Sequence, residues 1–312
     1  PFIKRLKQIS FDIVHAHTPF SSGNIALDTA RKRGIPIVAS FHSKYYDDFL
    51  ESLKFEGAAR FVVSKVVDFY NSVDAVWTVN RSTAETLREY GYKGTIEEIP
   101  NGTEYETVKD KEAECEKINS QFGFTPDQLV FIYVGQMIRQ KNTRALIESL
   151  ALLKQRGLDF KMLMIGQGYA LEELKALSKS LDLDDRVSFL GPIYDREYLK
   201  SIYCRANLLI FPSLYDNASI VVREAASQCC PAVLVEGSNT AEGITDDFNG
   251  FLTKDGAENI ANRIMKAVEN PEKLVEVGRN ANKTVYTNWE SIVDEVYGRY
   301  MEIIKVFSKM RA

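Results

Sequence analysis

The sequence predicts an α/β protein built as two doubly wound, parallel-sheet domains in series. Three observations carry that reading. Short apolar runs alternate with helical stretches in two separate blocks. The runs are continuous in their apolarity, as strands buried on both faces are, without the in-out alternation of a half-exposed sheet. A charged, apolar-poor stretch, TEYETVKDKEAECEKINSQFGFTPDQ (103–128), breaks the rhythm between the blocks and reads as a connector. The 312 residues, 45% of them apolar, suffice for two cores of ordinary size.

In the first block FDIVHAH (11–17), PIVASFH (36–42), DAVWTVN (74–80) and TIEEIPNG (95–102) are the strands. Helices are expected over about 22–33, ending at Gly34, over 57–72, and over 82–90. The last of these shows a capping box, Ser82 with Glu85, and a terminal Gly91. In the second block LVFIYVG (129–135), FKMLMIGQG (160–168), RVSFLG (186–191), NLLIFPS (207–213) and PAVLVEG (231–237) are the strands. A last helix, 289–309, carries apolar residues at 289, 292, 293, 296, 300, 303 and 304, a stripe that must pack on something. In sheets of this kind ligands bind at the carboxyl ends of the strands, so residues just after each strand are the ones to inspect.

Composition narrows the function. A formal charge of −4 and a pI near 5.6 argue against a nucleic-acid binder. Cys115, Cys204, Cys229 and Cys230 lack CxxC or Cys/His spacing, which disfavours a zinc site or a disulfide framework and suits a reducing cytoplasm. No apolar run is long enough to cross a membrane. The N-terminal PFIKRLKQISF reads as a solvated helix end, with a membrane surface as the alternative for its basic, amphipathic pattern. His15 and His17 flank Ala16 and so share a sheet face; no third metal ligand follows at suitable spacing, which leaves a structural or acceptor-side role. Asp182-Leu183-Asp184 falls in a loop where exposed acids are ordinary, and Gly166-x-Gly168 lacks the third glycine of a dinucleotide fingerprint, Leu171 standing there instead.

The stretch LYDNASIVVREAASQCCP (214–231) is the most informative. Asp216 precedes a helix and Glu224 lies within it. At about 100° per residue, Val222, Ala225, Ala226 and Cys229 form one apolar stripe, and Glu224 falls about 200° from its start. That places Glu224 on the face turned from the core, where a carboxylate is ordinarily solvated. Asn217, Ala218, Ser219 and Ile220 lie where a helix begins directly after a strand, a geometry that favours a phosphate.

With these residues in view, the sequence resembles glycosyltransferase family four, retaining enzymes of the GT-B fold. The pair Asp216 and Glu224, seven residues between them, resembles the family's carboxylate signature. IPNG (99–102), VGQMIRQKN (134–142), GQG (166–168), DDRVSFLG (184–191) and EGSNTAEGI (236–244) agree with it in order. The resemblance implies a GT-B fold of two Rossmann-like domains facing a cleft. Residues 1–105 joined by the helix 289–312 would form an incomplete acceptor-side domain, and 106–288 the donor-binding domain.

The resemblance also implies roles. Glu224 would bind the ribose hydroxyls of a nucleotide sugar, and Asp216, Glu in most relatives, the donor sugar. The amides of Ser219, Ile220 and Val221, with Asn217 and Ala218 beside them, would face the diphosphate. Lys141 would neutralise that diphosphate as it departs. Gln136 stands where an Arg is usual, Arg139 being a candidate substitute, and Gly166 and Val187 complete the donor set. His42 would contact the sugar near its reacting carbon, brought there by closure of the domains. The implied activity is transfer of a hexosyl unit from a nucleotide sugar, a UDP-sugar on family frequency, with retention and without metal or other cofactor. It would serve bacterial glycan, polysaccharide or glycolipid assembly in the cytoplasm or at the inner membrane face. The sugar, lipid or polymer acceptor is not specified; KYYDDFLESLKF (44–55) is its candidate surface, where aromatics either stack on a sugar or cover the sheet. A peripheral membrane contact is left open. The family's opening strand and Gly-rich loop are missing before FDIVHAH, so the expectation is donor binding with poor transfer by these residues alone. Two alternatives stand beside this one: a non-catalytic or truncated nucleotide-sugar-binding subunit, and a UDP-sugar epimerase of GT-B shape.

Overall fold

A computed structural model describes residue 6 and residues 8–311. The reading of PFIKRLKQISF falls largely on residues 1–5 and 7, outside the described residues. The chain divides into two compact units, one running to Asn101 and resuming at Glu290, the other spanning Gly102–Trp289.

The first unit contains β1 (Val14–Ala16), α1 (Ser21–Arg33), β2 (Ile37–Phe41), α2 (Tyr45–Leu53), α3 (Glu56–Tyr70), β3 (Ala75–Thr78), α4 (Arg81–Glu89) and β4 (Glu97–Glu98). Its parallel sheet has the order β1-β2-β3-β4. Successive β2 side chains alternate between two apolar clusters, Ile37, Ala39 and Phe41 on one face and Val38 on the other. Each such side chain, fully buried, contributes about 1.5–3 kcal/mol of transfer free energy. The second face is covered by the C-terminal helix, α12 (Trp289–Arg311), whose Ile292, Val296, Tyr300 and Ile303 pack on Val38, Trp77 and Ile99. Three members of the expected stripe are not part of this cluster: Trp289, which opens the helix, Ile304, and Val293, which is 59% exposed and lies about 100° round from Ile292.

One local expectation is corrected here, and of two alternatives left open for 44–55 one is favoured. α4 is capped one residue before its start by Asn80, whose side chain accepts from the Thr83 amide at 2.9 Å, and not by Ser82. Ser82 lies inside the first turn and Glu85 pairs with Arg81, so no capping box forms. The stretch 44–55 is mostly helix α2, and its Tyr45, Tyr46 and Phe49 pack against the core around Phe41. Those aromatics cover the sheet; Leu53 and Phe55 remain exposed.

The second unit runs α5 (Lys111–Phe122), β5 (Val130–Val134), a 3₁₀ turn (Arg139–Lys141), α6 (Thr143–Gln155), β6 (Lys161–Ile165), α7 (Leu171–Ser180), β7 (Val187–Gly191), α8 (Arg196–Arg205), β8 (Leu208–Phe211), α9 (Ile220–Ser227), β9 (Ala232–Val235), β10 (Phe251–Thr253), α10 (Ala257–Val268) and α11 (Pro271–Thr284). All strand pairs are parallel in the order β10-β9-β8-β5-β6-β7. All five β5 residues are buried, as its unbroken apolar run requires. The stretch 103–128 is more than a connector: it holds α5, capped by Asp110, with Ile118 in the core. Its apolar residues are scattered among charged ones and Ile118 alone of them is fully buried, too thin a pattern to mark that helix. β10, three residues long, also went unseen in the sequence.

Candidate functional site

In the second unit the chain winds outward from β5 in both directions, through β6 to β7 and through β8 to β10. The carboxyl ends of β5 and β8 therefore flank a topological switch point, where parallel sheets open a crevice. A cleft of about 750 Å³ lies at the ends of β5, β6 and β7, lined among others by Gln136, Ile138, Gly166, Tyr169, Pro192 and Tyr194. Its floor depends on bare backbone. A Cβ on Gly166, whose φ is +133°, would sit 1.9 Å from the Gly135 carbonyl oxygen, so the two turns can abut only as glycines. Gly166 and the exposed Gln136 are thus at the cleft. Val187 is not. It opens β7 and is buried in the core, and the residues of that segment that reach the cleft follow the other end of the strand, Pro192 to Tyr194. The sequence pattern marks the strand without saying which end is open.

The loop after β8 carries Asp216 and its neighbours. Lys141, at the end of the 3₁₀ turn that follows β5, is hydrogen-bonded to Asp216 Oδ1, and both side chains are largely enclosed. Asp216 Oδ2 is buried and has no partner, and neither has the buried hydroxyl of Thr240. Asn239, next to Thr240, donates to Asn217 Oδ1 at 3.4 Å, tying the EGSNTAEGI segment to this loop. Two orphaned polar atoms near one short loop are costly unless something binds them. Asn217 and Ala218 belong to the loop, Ser219 is the N-cap, and Ile220 and Val221 open α9. The first amides of a helix have no intrahelical acceptor and carry its positive dipole end. Arg139, the candidate substitute for the arginine missing at Gln136, instead reaches Glu173 at 3.3 Å.

Glu224 corrects the expectation most directly. It is 2% exposed and not solvated. The helix face turned from the apolar stripe meets α8, where Tyr203 donates to Glu224 Oε2 at 2.9 Å and Arg196 to Oε1 at 3.0 Å. Burial, and then the Glu224 charge, push the Tyr203 phenol well above its ordinary range, so it stays a donor. The Arg196 guanidinium lies 4.5 Å over the Tyr105 ring. A carboxylate has about four acceptor sites, and two remain for a ligand. Sequence reasoning missed Arg196, Tyr203 and Tyr105. No spacing in the sequence marks them as partners of a carboxylate on another helix.

Cys229 follows the helix at φ 56°, the left-handed helix-end position where the resemblance places a glycine, and so does not continue the helical stripe; the Cys229 amide donates to the Ala226 carbonyl and the Cys230 amide to the Ala225 carbonyl, closing a Schellman turn.

In the first unit the three histidines of the chain gather at the ends of β1 and β2. His15 bonds Ser40 Oγ at 2.8 Å and Tyr300 at 2.5 Å, and stacks on His17 at 4.2 Å. His17 Nδ1 is 3.1 Å from His42 Nε2. Burial, then the neighbouring imidazoles, push His15 down to about 3; His42 and His17 are lowered chiefly by burial. His15 is a structural residue locked into the sheet. Asp182, in the acidic loop set aside above, pairs with Lys154 at 3.0 Å. Among the described residues no group of three or more His, Cys, Asp or Glu is arranged to hold a metal ion.

Residues 115–284 match the model of the glycosyl transferases group 1, and residues 1–107 that of glycosyltransferase family 4. The chain belongs to the group 1 glycosyl transferases. Among the relatives of this glycosyltransferase, alpha-monoglucosyldiacylglycerol synthase of Streptococcus pneumoniae is 24% identical over 267 residues, 84% of this chain and 60% of that protein. Alpha-D-kanosaminyltransferase of Streptomyces kanamyceticus is 24% identical over 313 residues, 96% of this chain and 80% of that one. The chain thus spans between 60% and about 80% of the length of these relatives. HepE of Anabaena, solved with UDP and glucose, superposes with a TM-score of 0.80 at 19% identity, covering 97% of this glycosyltransferase and 82% of HepE. Sucrose-phosphate synthase of Thermosynechococcus elongatus gives 0.83 at 20%, covering 98% and 78%. The fold is GT-B, two Rossmann-like α/β domains with parallel sheets. Among the described residues no helix is long and apolar enough to cross a membrane.

Proposed function

We propose that this glycosyltransferase moves a hexosyl unit from a UDP-sugar to an acceptor hydroxyl with retention of configuration and without a metal ion. The observation that carries the reading is the buried Glu224, fixed by Tyr203 and Arg196 with acceptor sites to spare, one short helix away from the Lys141–Asp216 pair. Glu224 takes the ribose hydroxyls, the base lies in the cleft by Tyr169 and Tyr194, and the diphosphate meets the opening turn of α9 at Ser219, Ile220 and Val221. Asp216 Oδ2 accepts from a sugar hydroxyl. As the C1–O bond to the diphosphate breaks, Lys141 and the helix amides stabilise the charge that develops there. The acceptor oxygen bonds to C1 on the same face and gives its proton to the departing diphosphate oxygen, so no enzymic nucleophile is needed. His42 orients the sugar hydroxyls.

A relative that glucosylates a diacylglycerol favours a lipid-linked acceptor at the inner membrane face, and the exposed Leu53, Phe55 and Phe61 give that face an apolar contact. The test is a thermal-shift screen of UDP-, GDP- and ADP-sugars, followed by donor hydrolysis and NMR of the anomeric product with and without EDTA. Stabilisation by UDP-sugars, EDTA-insensitive turnover and an α-anomer from an α-donor are expected. A preference for another nucleotide, loss of turnover in EDTA, or inversion would overturn the corresponding part. Release of an epimerised sugar nucleotide would replace the transferase reading altogether.

A further inference from the structure

Outside the donor site, α5 and α8 pack so that two cysteines meet. Cys115 Sγ lies 3.7 Å from the Cys204 carbonyl oxygen and Cys204 Sγ lies 4.0 Å from the Lys111 carbonyl oxygen, so the two residues stand side by side across the helix contact. Both line a cavity of about 350 Å³ whose wall also carries Lys111 and Arg205. Cys204 is enclosed, whereas Cys115 is partly open to solvent. Arg205 is itself fixed, donating to Asn119 Oδ1 at 2.5 Å and to the Gln128 carbonyl at 2.8 Å, so its charge stays at the cavity wall. Glu112 and Glu116 stand on the same rim. None of these groups is used by the proposed transfer reaction.

We propose that Cys115 and Cys204 form a redox modification site, in which a hydroperoxide oxidises Cys115 and Cys204 closes a reversible disulfide. In the first step the Cys115 thiolate attacks the outer peroxide oxygen. An S–O bond forms as the O–O bond breaks, and the released alkoxide or hydroxide takes up the proton that the thiol gave. In the second step Cys204 sulfur attacks the sulfenic sulfur. The S–S bond forms, the S–O bond breaks, and hydroxide leaves as water with the Cys204 proton. Two thiols lose two electrons in all, and the peroxide is reduced to an alcohol, or water, plus water. Only Cys115 suits the attacking role. It is partly open to solvent, and the Cys204 side chain, with Lys111 and Arg205 nearby, draws its thiol down, whereas Cys115 and then burial push Cys204 up and burial holds Cys230 at about 12.

A thiol drawn down in this way carries more thiolate at pH 7 than an ordinary cysteine, so Cys115 is expected to be alkylated by iodoacetamide before Cys204 and Cys230. The deciding experiment exposes the full chain to hydrogen peroxide and maps its peptides under non-reducing conditions. A Cys115–Cys204 linked peptide that dithiothreitol reverses is expected. In Cys204→Ser, dimedone should trap a sulfenic acid at Cys115. In Cys115→Ser, no adduct should appear at the other cysteines at the same dose. Native protein that yields no 115–204 peptide, or a first adduct at Cys229, overturns the proposal. The wild-type map depends on no variant folding and on no assumption about the sugar donor.

Discussion

Replacing Glu224 separates its two tasks, holding α9 to α8 and receiving a ligand. In Glu224→Ala the Tyr203 hydroxyl, wholly enclosed, loses the carboxylate oxygen to which it donates. An unsatisfied buried donor costs about 1–3 kcal/mol. Arg196, 45% exposed along its side chain, keeps Glu104 as a partner and adds at most about 1 kcal/mol. The expected destabilisation is therefore about 1–4 kcal/mol, read as a lower urea midpoint for the unit that contains α9. Glu224→Gln keeps an acceptor for Tyr203 and turns its amide toward solvent-accessible Arg196, at about 1 kcal/mol. Its effect on binding should be larger than on stability. A neutral amide offers one acceptor where a ribose diol needs two, so the Kd for UDP by calorimetry should rise about tenfold or more, equivalent to about 1.4 kcal/mol. UDP affinity unchanged in Glu224→Gln would refute the ribose role, and wild-type stability in Glu224→Ala would refute the buried network.

Three further outcomes are expected. Lys141→Ala should cut donor hydrolysis by about a hundredfold or more, whereas Asp216→Asn should tighten UDP binding by about fivefold while lowering turnover, because it releases the lysine from its carboxylate; weaker UDP binding in Asp216→Asn would contradict this. His15, facing Ser40, Tyr300, Trp77 and His17, has its folded pKa pushed down to about 3 against an ordinary 6.5. Its contribution is complete above 6.5 and declines as pH falls toward 3, so the first unit should lose about 2 kcal/mol between pH 7 and 5, and His15→Gln should flatten that slope in urea titrations. Cys229→Gly relieves a left-handed residue and should raise the urea midpoint by up to about 1 kcal/mol, provided that the Schellman turn is as strained as φ 56° implies.

The central strands of the two sheets were legible because they are apolar runs, and β5, with all five residues buried, shows why the pattern survives. Elements with a weak apolar signal escaped. α5 presents Ile118 among charged residues, and β10 has three residues at the edge of its sheet. At the site, sequence spacing located Asp216 and Glu224 but misjudged the burial of Glu224, since periodicity ranks a helix face against the apolar core only. It has no way to register a neighbouring helix that brings a tyrosine and an arginine. The partnership of Lys141 with Asp216 was invisible for the same reason: the two are 75 positions apart and meet only because β5 and β8 are neighbours in the sheet.

That partnership bears on how quickly the site could empty. In the proposed reaction, with Lys141 already paired to Asp216, an incoming diphosphate would displace a carboxylate instead of meeting a bare cation. The attraction it gains is a difference between two ion pairs. Once the diphosphate loses its sugar, the carboxylate is there to reclaim the lysine, a competitor that never diffuses away. A resident counter-ion of this kind trades tight product binding for prompt release.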